Sequence, residues 1–256
     1  MTRTFRCLVA GLSLVILAGP SLALDTDITV RVLSRDAKLV GSGMGGARVV
    51  LRDAQSGELL VRGFTGGGTG NTAKLMHDDR GRRAHMADDG DAAFRATLDL
   101  KQPRLITVEV AGPRVQQQAG HAASATQWVV PGKHLSGGDG WVVELPGFVV
   151  NVLQPPGQGV TPADAQSVTI NAQVVMMCGC PVTPGGLWDA DQYEVGMLVS
   201  REGQEVVDIA MSYGGKSSRF TGQVPVTGPG VYHISVYAYD PRTGNTGVDQ
   251  TTLIVD

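Results

Sequence analysis

The chain has 256 residues, enough for one large domain or two small ones. Its formal net charge is −3 with 18% charged residues, and no basic block is available to neutralise phosphates, which argues against nucleic acid as a partner. With 35 glycines and an aromatic share of only 5%, the composition suits many short strands joined by tight turns, where glycine supplies positive φ without a Cβ clash.

The N-terminus carries Arg3 and Arg6 and no acid, followed by a mostly apolar run over residues 7–18 and the helix breaker Gly19-Pro20. Ser21-Leu22-Ala23 then places small residues where signal peptidase selects them, so residues 1–23 read as a signal peptide cleaved after Ala23. The run is shorter than the roughly 20 apolar residues that span a bilayer. The expected location is periplasmic or secreted, with no membrane span in the mature chain. Cys7 lies at the start of the apolar run, unlike a lipoprotein cysteine, and would be lost with it. Removing Arg3 and Arg6 from the 21 basic residues leaves 19 against 24 acidic ones, or −5.

Beyond Ala23, period-two alternation dominates and helical periodicity is nearly absent. Ile28, Val30 and Val32 alternate with Thr29 and Arg31; Ala47, Val49 and Leu51 with Arg48 and Arg52; Phe94, Ala96 and Leu98 with Arg95, Thr97 and Asp99; Ile106, Val108 and Val110 with Thr107 and Glu109. Turn signals at Gln55-Ser56-Gly57, Asp88-Asp89-Gly90-Asp91 and Gly112-Pro113 separate them. This predicts a first β-sandwich over residues 24–113. Its sequence Gly45-Gly46-Ala47-Arg48-Val49-Val50-Leu51-Arg52-Asp53, then Ser56-Gly57-Glu58-Leu59-Leu60, then Asp89-Gly90-Asp91-Ala92-Ala93-Phe94 resembles the transthyretin-like accessory modules of exported enzymes. The resemblance implies architecture only, and it departs from the pattern in a Gly-rich, charged insertion between Thr65 and Arg83.

Residues 114–146 read as a connector with short strands at 127–130 and 141–145, either a hairpin between domains or a continuation of the first sheet. Residues 147–256 then give seven strands, at 148–153, 168–176, 193–200, 206–213, 218–225, 230–239 and 251–255. That is the strand count of an immunoglobulin-like sandwich. The stretch Val236-Tyr237-Ala238-Tyr239-Asp240-Pro241-Arg242-Thr243-Gly244-Asn245-Thr246-Gly247 resembles the last hairpin of bacterial immunoglobulin-like and fibronectin-like repeats. Such a resemblance implies a fold and is nearly silent on function. The fold class expected is therefore all-β, with two sandwiches after a cleaved signal.

The foremost candidate for chemistry is Met176-Met177-Cys178-Gly179-Cys180-Pro181. After signal removal Cys178 and Cys180 are the remaining cysteines. Residues two apart on a strand share a face, so both sulfurs are expected side by side at an accessible tip of the second sandwich. Thiolates and thioethers suit copper as Cu(I), with Met176 the better-placed third donor and Met177 needing a twist of the strand. The other reading is a disulfide, since the exported compartment is oxidising; a bend at Gly179 would be needed to bring the sulfurs together. A redox-active pair is a third, weaker reading. All three stay open on sequence.

A second metal candidate is Met76-His77 against His85-Met86, if the inserted loop folds back near Gly81. Against it stands a solvated loop with incidental side chains. Other patterns lack their context. Gly41-Ser42-Gly43-Met44-Gly45-Gly46 precedes a strand rather than a helix, Gly66 to Thr72 has no phosphate-binding lysine, and Asp88-Asp89-Gly90-Asp91 reads as a turn rather than a calcium loop. His121, His134 and His233 are isolated, and Trp188 reads as a loop plug. The sequence thus supports an exported, non-enzymatic binding or accessory protein with a copper site at Met176, Met177, Cys178 and Cys180. The alternative is a structural or interaction module of a cell-envelope or surface complex, with an envelope or extracellular protein as partner and the cysteines as a disulfide.

Overall fold

The computed structural model describes residues 23–77, 81, 84–157, 159–202 and 206–256; the predicted export segment lies outside them apart from Ala23. The protein is all-β, built of sandwich-like pairs of sheets. Seven strands form the first pair: β1 (Leu24–Ser34), β2 (Arg48–Asp53), β3 (Leu59–Phe64), β4 (Phe94–Leu100), β5 (Arg104–Gly112), β6 (His121–Val129) and β7 (Trp141–Leu145). One sheet has the order β4-β1-β7, antiparallel to β4 and parallel to β7; the other runs β3-β2-β5-β6, all antiparallel. The alternation seen in the sequence decides which side chains meet. Ile28, Val30 and Val32 pack on Val49, Leu51, Ile106, Val108 and Val110, because residues of one parity share one side of a strand.

Of the two placements open to the 114–146 segment, the strand register supports continuation of the first sheets. β6 pairs with β5 along its whole length and β7 with β1. The insertion after Thr65 also has a structural role. It bridges the segment before β4 through Gly66–Ala93 and Gly68–Asp91, and that segment lies on the back of β1, where the Arg31 guanidinium donates to the carbonyls of Asp91 and Ala92, both at 3.1 Å. Arg31 is buried beneath that segment and Thr29 beneath the 135–140 loop, whose Leu135 carbonyl accepts from the Thr29 amide at 3.1 Å, on what alternation alone would make a wet face.

The second pair of sheets contains β8 (Phe148–Gln154), β9 (Gly159–Thr161), β10 (Ser167–Met176), β11 (Glu194–Arg201), β12 (Val207–Ala210), β13 (Ser212–Tyr213), β14 (Arg219–Pro225), β15 (Gly230–Tyr239) and β16 (Thr246–Val255). The orders are β13-β14-β10-β8 and β12-β11-β15-β16-β9. The strand expected over 206–213 breaks at buried Met211, where the chain leaves one sheet and joins the other. The last strand starts at Thr246 rather than at 251, because residues 246–250 form ladder pairs with β15 from Tyr239 back to Ser235. Among the described residues no helix is long and apolar enough to cross a membrane.

Candidate functional site

The cysteine segment sits where the two pairs of sheets meet. In β10, Ile170, Ala172, Val174 and Met176 point into the second core, while Val175 and then Met177 point into the first; in β8, Phe148 and Val150 face the second core and Val149 the first. This ribbon is therefore covered on both sides. Met176 is 1% exposed and Met177 0%.

Past Met176 the chain reverses within a tight turn. The Gly179 amide donates to the Met176 carbonyl at 2.7 Å, and the Met176 amide to the Cys180 carbonyl at 3.0 Å. Gly179 adopts φ 81°, a conformation that glycine takes without the Cβ penalty. A Cβ there would also lie 2.7 Å from the Met44 sulfur of the first sandwich. The bend brings the cysteines together as a disulfide with a Cα–Cα distance of 5.4 Å, inside the usual range. The return arm is tied down by the Val175–Pro181 bridge and by the Val182 amide donating to the Ser218 hydroxyl at 3.1 Å.

The expectation of an accessible tip is corrected by this placement. Cys178 is 3% and Cys180 7% exposed, because the first sandwich covers what would otherwise be the open end of the second. Met176 and Met177 take opposite sides of the ribbon and fill different cores. A disulfide has no thiolate, the form of cysteine that ligates metal, so in this state the hairpin is a closed staple.

Around it the two sandwiches interlock. Trp188 is buried and its indole N–H donates to the Asp36 carbonyl of the first sandwich at 2.9 Å, the plug role read from sequence. Ala37 and Met76 pack against the second core. The Gly147 amide donates to the Asn245 Oδ1 at 2.6 Å, and the Gln118 amide group reaches the Val150 carbonyl at 3.4 Å. Replacing Trp188 with phenylalanine should keep the plug but lose its hydrogen bond, costing about 1 kcal/mol in urea unfolding; an unchanged midpoint would place the indole N–H outside the stability of the seam.

The second candidate set is divided among different neighbours. Met76 packs against the second core, whereas the Met86 amide donates to the Asp139 carboxylate at 2.9 Å, and His85 lies beside Gly138. His77 and His85 are exposed. Residues 78–80 and 82–83 of the fold-back lie outside the described residues. Among the described residues, no three His, Cys, Asp or Glu side chains are grouped to hold a metal ion. Met44 and Asp36, which complete the seam, were missed on sequence, since no local spacing links them to the cysteines.

No protein-family model matches the chain, and no curated protein does. Among solved structures it is similar to the crystal structure of an engineered protein, with 16% identity and a TM-score of 0.32 over 50% of this chain and 24% of that one.

Proposed function

We propose that the protein is an exported, non-enzymatic interaction module of a cell-envelope or surface complex, acting in the periplasm or outside the cell. The carrying observation is burial. The four sulfur-bearing residues of the 176–180 segment are buried, Met176, Cys178 and Cys180 in the second core and Met177 in the first, so that the segment ties the two sandwiches together rather than meeting a ligand. Relative motion is the default for linked domains unless the shared surface is large and apolar; the ribbon's apolar side chains, buried in both cores, favour a fixed arrangement. A rigid pair would present its exposed loops and strand edges at fixed spacing to a protein partner. In this reading the first pair of sheets is transthyretin-like and the second immunoglobulin-like on the sequence resemblances, although the second pair has nine strands where seven were expected, because the 206–213 strand divides into two and the short β9 is added.

The test is site-specific photo-crosslinking in the envelope of the source cell, with probes on exposed loops. A discrete adduct that recurs from neighbouring probe positions supports the module; uniformly negative probes on every face would sink it.

A copper-binding reading keeps one observation in its favour, the Met44 thioether against the cysteine turn. It requires reduction and opening of the hairpin. Intact mass under non-reducing conditions should be two hydrogens short of the free-thiol value, and the isolated protein should bind no more Cu(I) than the Cys178→Ser, Cys180→Ser double variant. Stoichiometric Cu(I) uptake by the reduced protein, lost in that variant, would replace the staple with a metal site.

A further inference from the structure

Eight strand edges terminate the four sheets, and β6 differs from the other seven. A free edge offers unpaired N–H and C=O groups, and proteins blunt such edges with charge, brevity or cover. β3 carries Arg62, β4 carries Arg95 and Asp99, β7 carries Glu144 and β12 carries Asp208. β9 has 3 residues and β13 has 2. β8 is covered on both faces and bonded across to Asp249 of β16. β6 has 9 residues, His-Ala-Ala-Ser-Ala-Thr-Gln-Trp-Val, with no lysine, arginine, acid or proline, and β5 is its one ladder partner among the described residues.

Its outward parity is Ala122, Ser124, Thr126 and Trp128, all exposed, with Trp128 58% exposed. At the other end of the same strand lies a hollow of about 450 Å³, walled by Phe64, Pro113 and Arg114 with Ala111 and Ala122 among its lining. Ala111 and Ala122 are cross-strand partners, so two small side chains lie side by side there. Arg114 stacks on the Phe64 ring at 3.9 Å.

We infer that β6 pairs antiparallel with β6 of a second copy of this chain about a twofold axis at Ala125, each Trp128 lying over the Ala122–Ala111 pair at the near rim of the hollow of the other copy. Antiparallel pairing of all nine residues with themselves has one register, in which position 121 faces 129 and 125 faces 125. That register sets Trp128 opposite Ala122 and Ser124 opposite Thr126. The large side chain thus meets the small one at the hollow, twice, as an isologous contact requires, and two hydroxyl residues face each other between. With His121 the one titratable side chain on the strand, no like charges confront each other across the axis. Each indole brings about 150–250 Å² of surface, laid over the small side chains of Ala122 and Ala111. The two four-stranded sheets would become continuous. This pairing stands independently of the envelope role proposed above.

Sedimentation equilibrium of the purified protein tests it. The expected result is a monomer–dimer equilibrium in the micromolar range. In the double variant Ser124→Lys, Thr126→Lys, like charges face each other on both sides of the axis, and the dissociation constant should rise about tenfold or more. In Ser124→Lys, Thr126→Glu, opposite charges face each other in the same register, and the dimer should return. Trp128→Ala should weaken the dimer as well. These positions are exposed, so melting temperatures should stay near the parent value. In the unmodified protein, amide exchange along β6 should slow as concentration rises, which checks the interface without any substitution. A monomer throughout the range, a dimer indifferent to the two lysines, failure of the Lys/Glu pair to restore it, or β6 exchange that ignores concentration would each overturn the pairing; so would a dimer whose protection maps to another edge.

Discussion

Shortening Met177 to alanine should lower stability by about 2–5 kcal/mol and split thermal unfolding into two calorimetric transitions. Met176→Ala should cost a similar amount while leaving one transition. The two side chains are adjacent, chemically identical and equally buried, yet Met176 fills the second core and Met177 the first. Losing Met176 leaves a cavity within one sandwich. Losing Met177 removes the side chain by which the end of β10 is anchored in its neighbour, together with its contact region near Gly147, where a Cβ would lie 2.9 Å from the Met177 methyl. Domains coupled through that seam melt together; with the seam hollowed, each should melt at its own temperature. A single transition for both variants, with matching loss, would mean that Met177 supports only its own core and that Trp188 and the 118–150 contact hold the seam without it.

Alternation made β5, β14 and β15 legible from sequence, because each buries one face and wets the other. It failed where both faces are covered. Thr29 and Arg31 looked like the solvent side of β1, but the segments that cover them, residues 135–140 over Thr29 and Asp91-Ala92 over Arg31, are distant in sequence and carry no period of their own. Val149-Val150 and Val174-Val175-Met176-Met177 are unbroken apolar runs, the mark of a strand buried on two sides. That signal was present beside the cysteines and points to their burial; same-face parity drew attention to the pair without saying which environment it faced. The bend at Gly179 was foreseeable. The parallel pairings of β7 with β1 and β9 with β16 were not, since a non-local ladder leaves no trace in the spacing of either strand. Met44 and Asp36 reach the site only through tertiary packing.

At the far end of β15, Asp240 should make the protein acid-sensitive, and Asp240→Asn should cost about 2–3 kcal/mol near neutral pH while flattening the stability loss on acidification. The carboxylate is 1% exposed. It accepts from the Arg242 amide at 2.9 Å, from Nε at 3.0 Å and from Nη2 at 2.9 Å. Burial alone would raise its pKa, but these hydrogen bonds and the charge of Arg242 outweigh it, and the carboxyl is held below the ordinary aspartate value. The sign follows from linkage: a depressed folded-state pKa gives stability that is fully present above the unfolded value of about 3.9 and disappears as pH falls through the lower folded value. Asp53, held down by backbone hydrogen bonds from Ser56 and Gln55, and Asp189, held down by those from Gly185 and Asp191, act in the same direction, so the slope in the variant should shrink rather than vanish. Arg242 itself is half exposed, and solvent screens the charge pair; most of the cost therefore comes from the carboxamide, which offers one acceptor and turns its own N–H groups toward the Arg242 donors. The guanidinium also lies 5.5 Å from the Tyr193 ring, and Tyr193 meets Phe148 edge-on at 5.0 Å, so freeing Arg242 loosens the hairpin end that abuts the seam. Urea unfolding across a pH series measures both effects, and a variant with the parent's neutral midpoint or an undiminished acid slope would assign the acid sensitivity to other carboxylates.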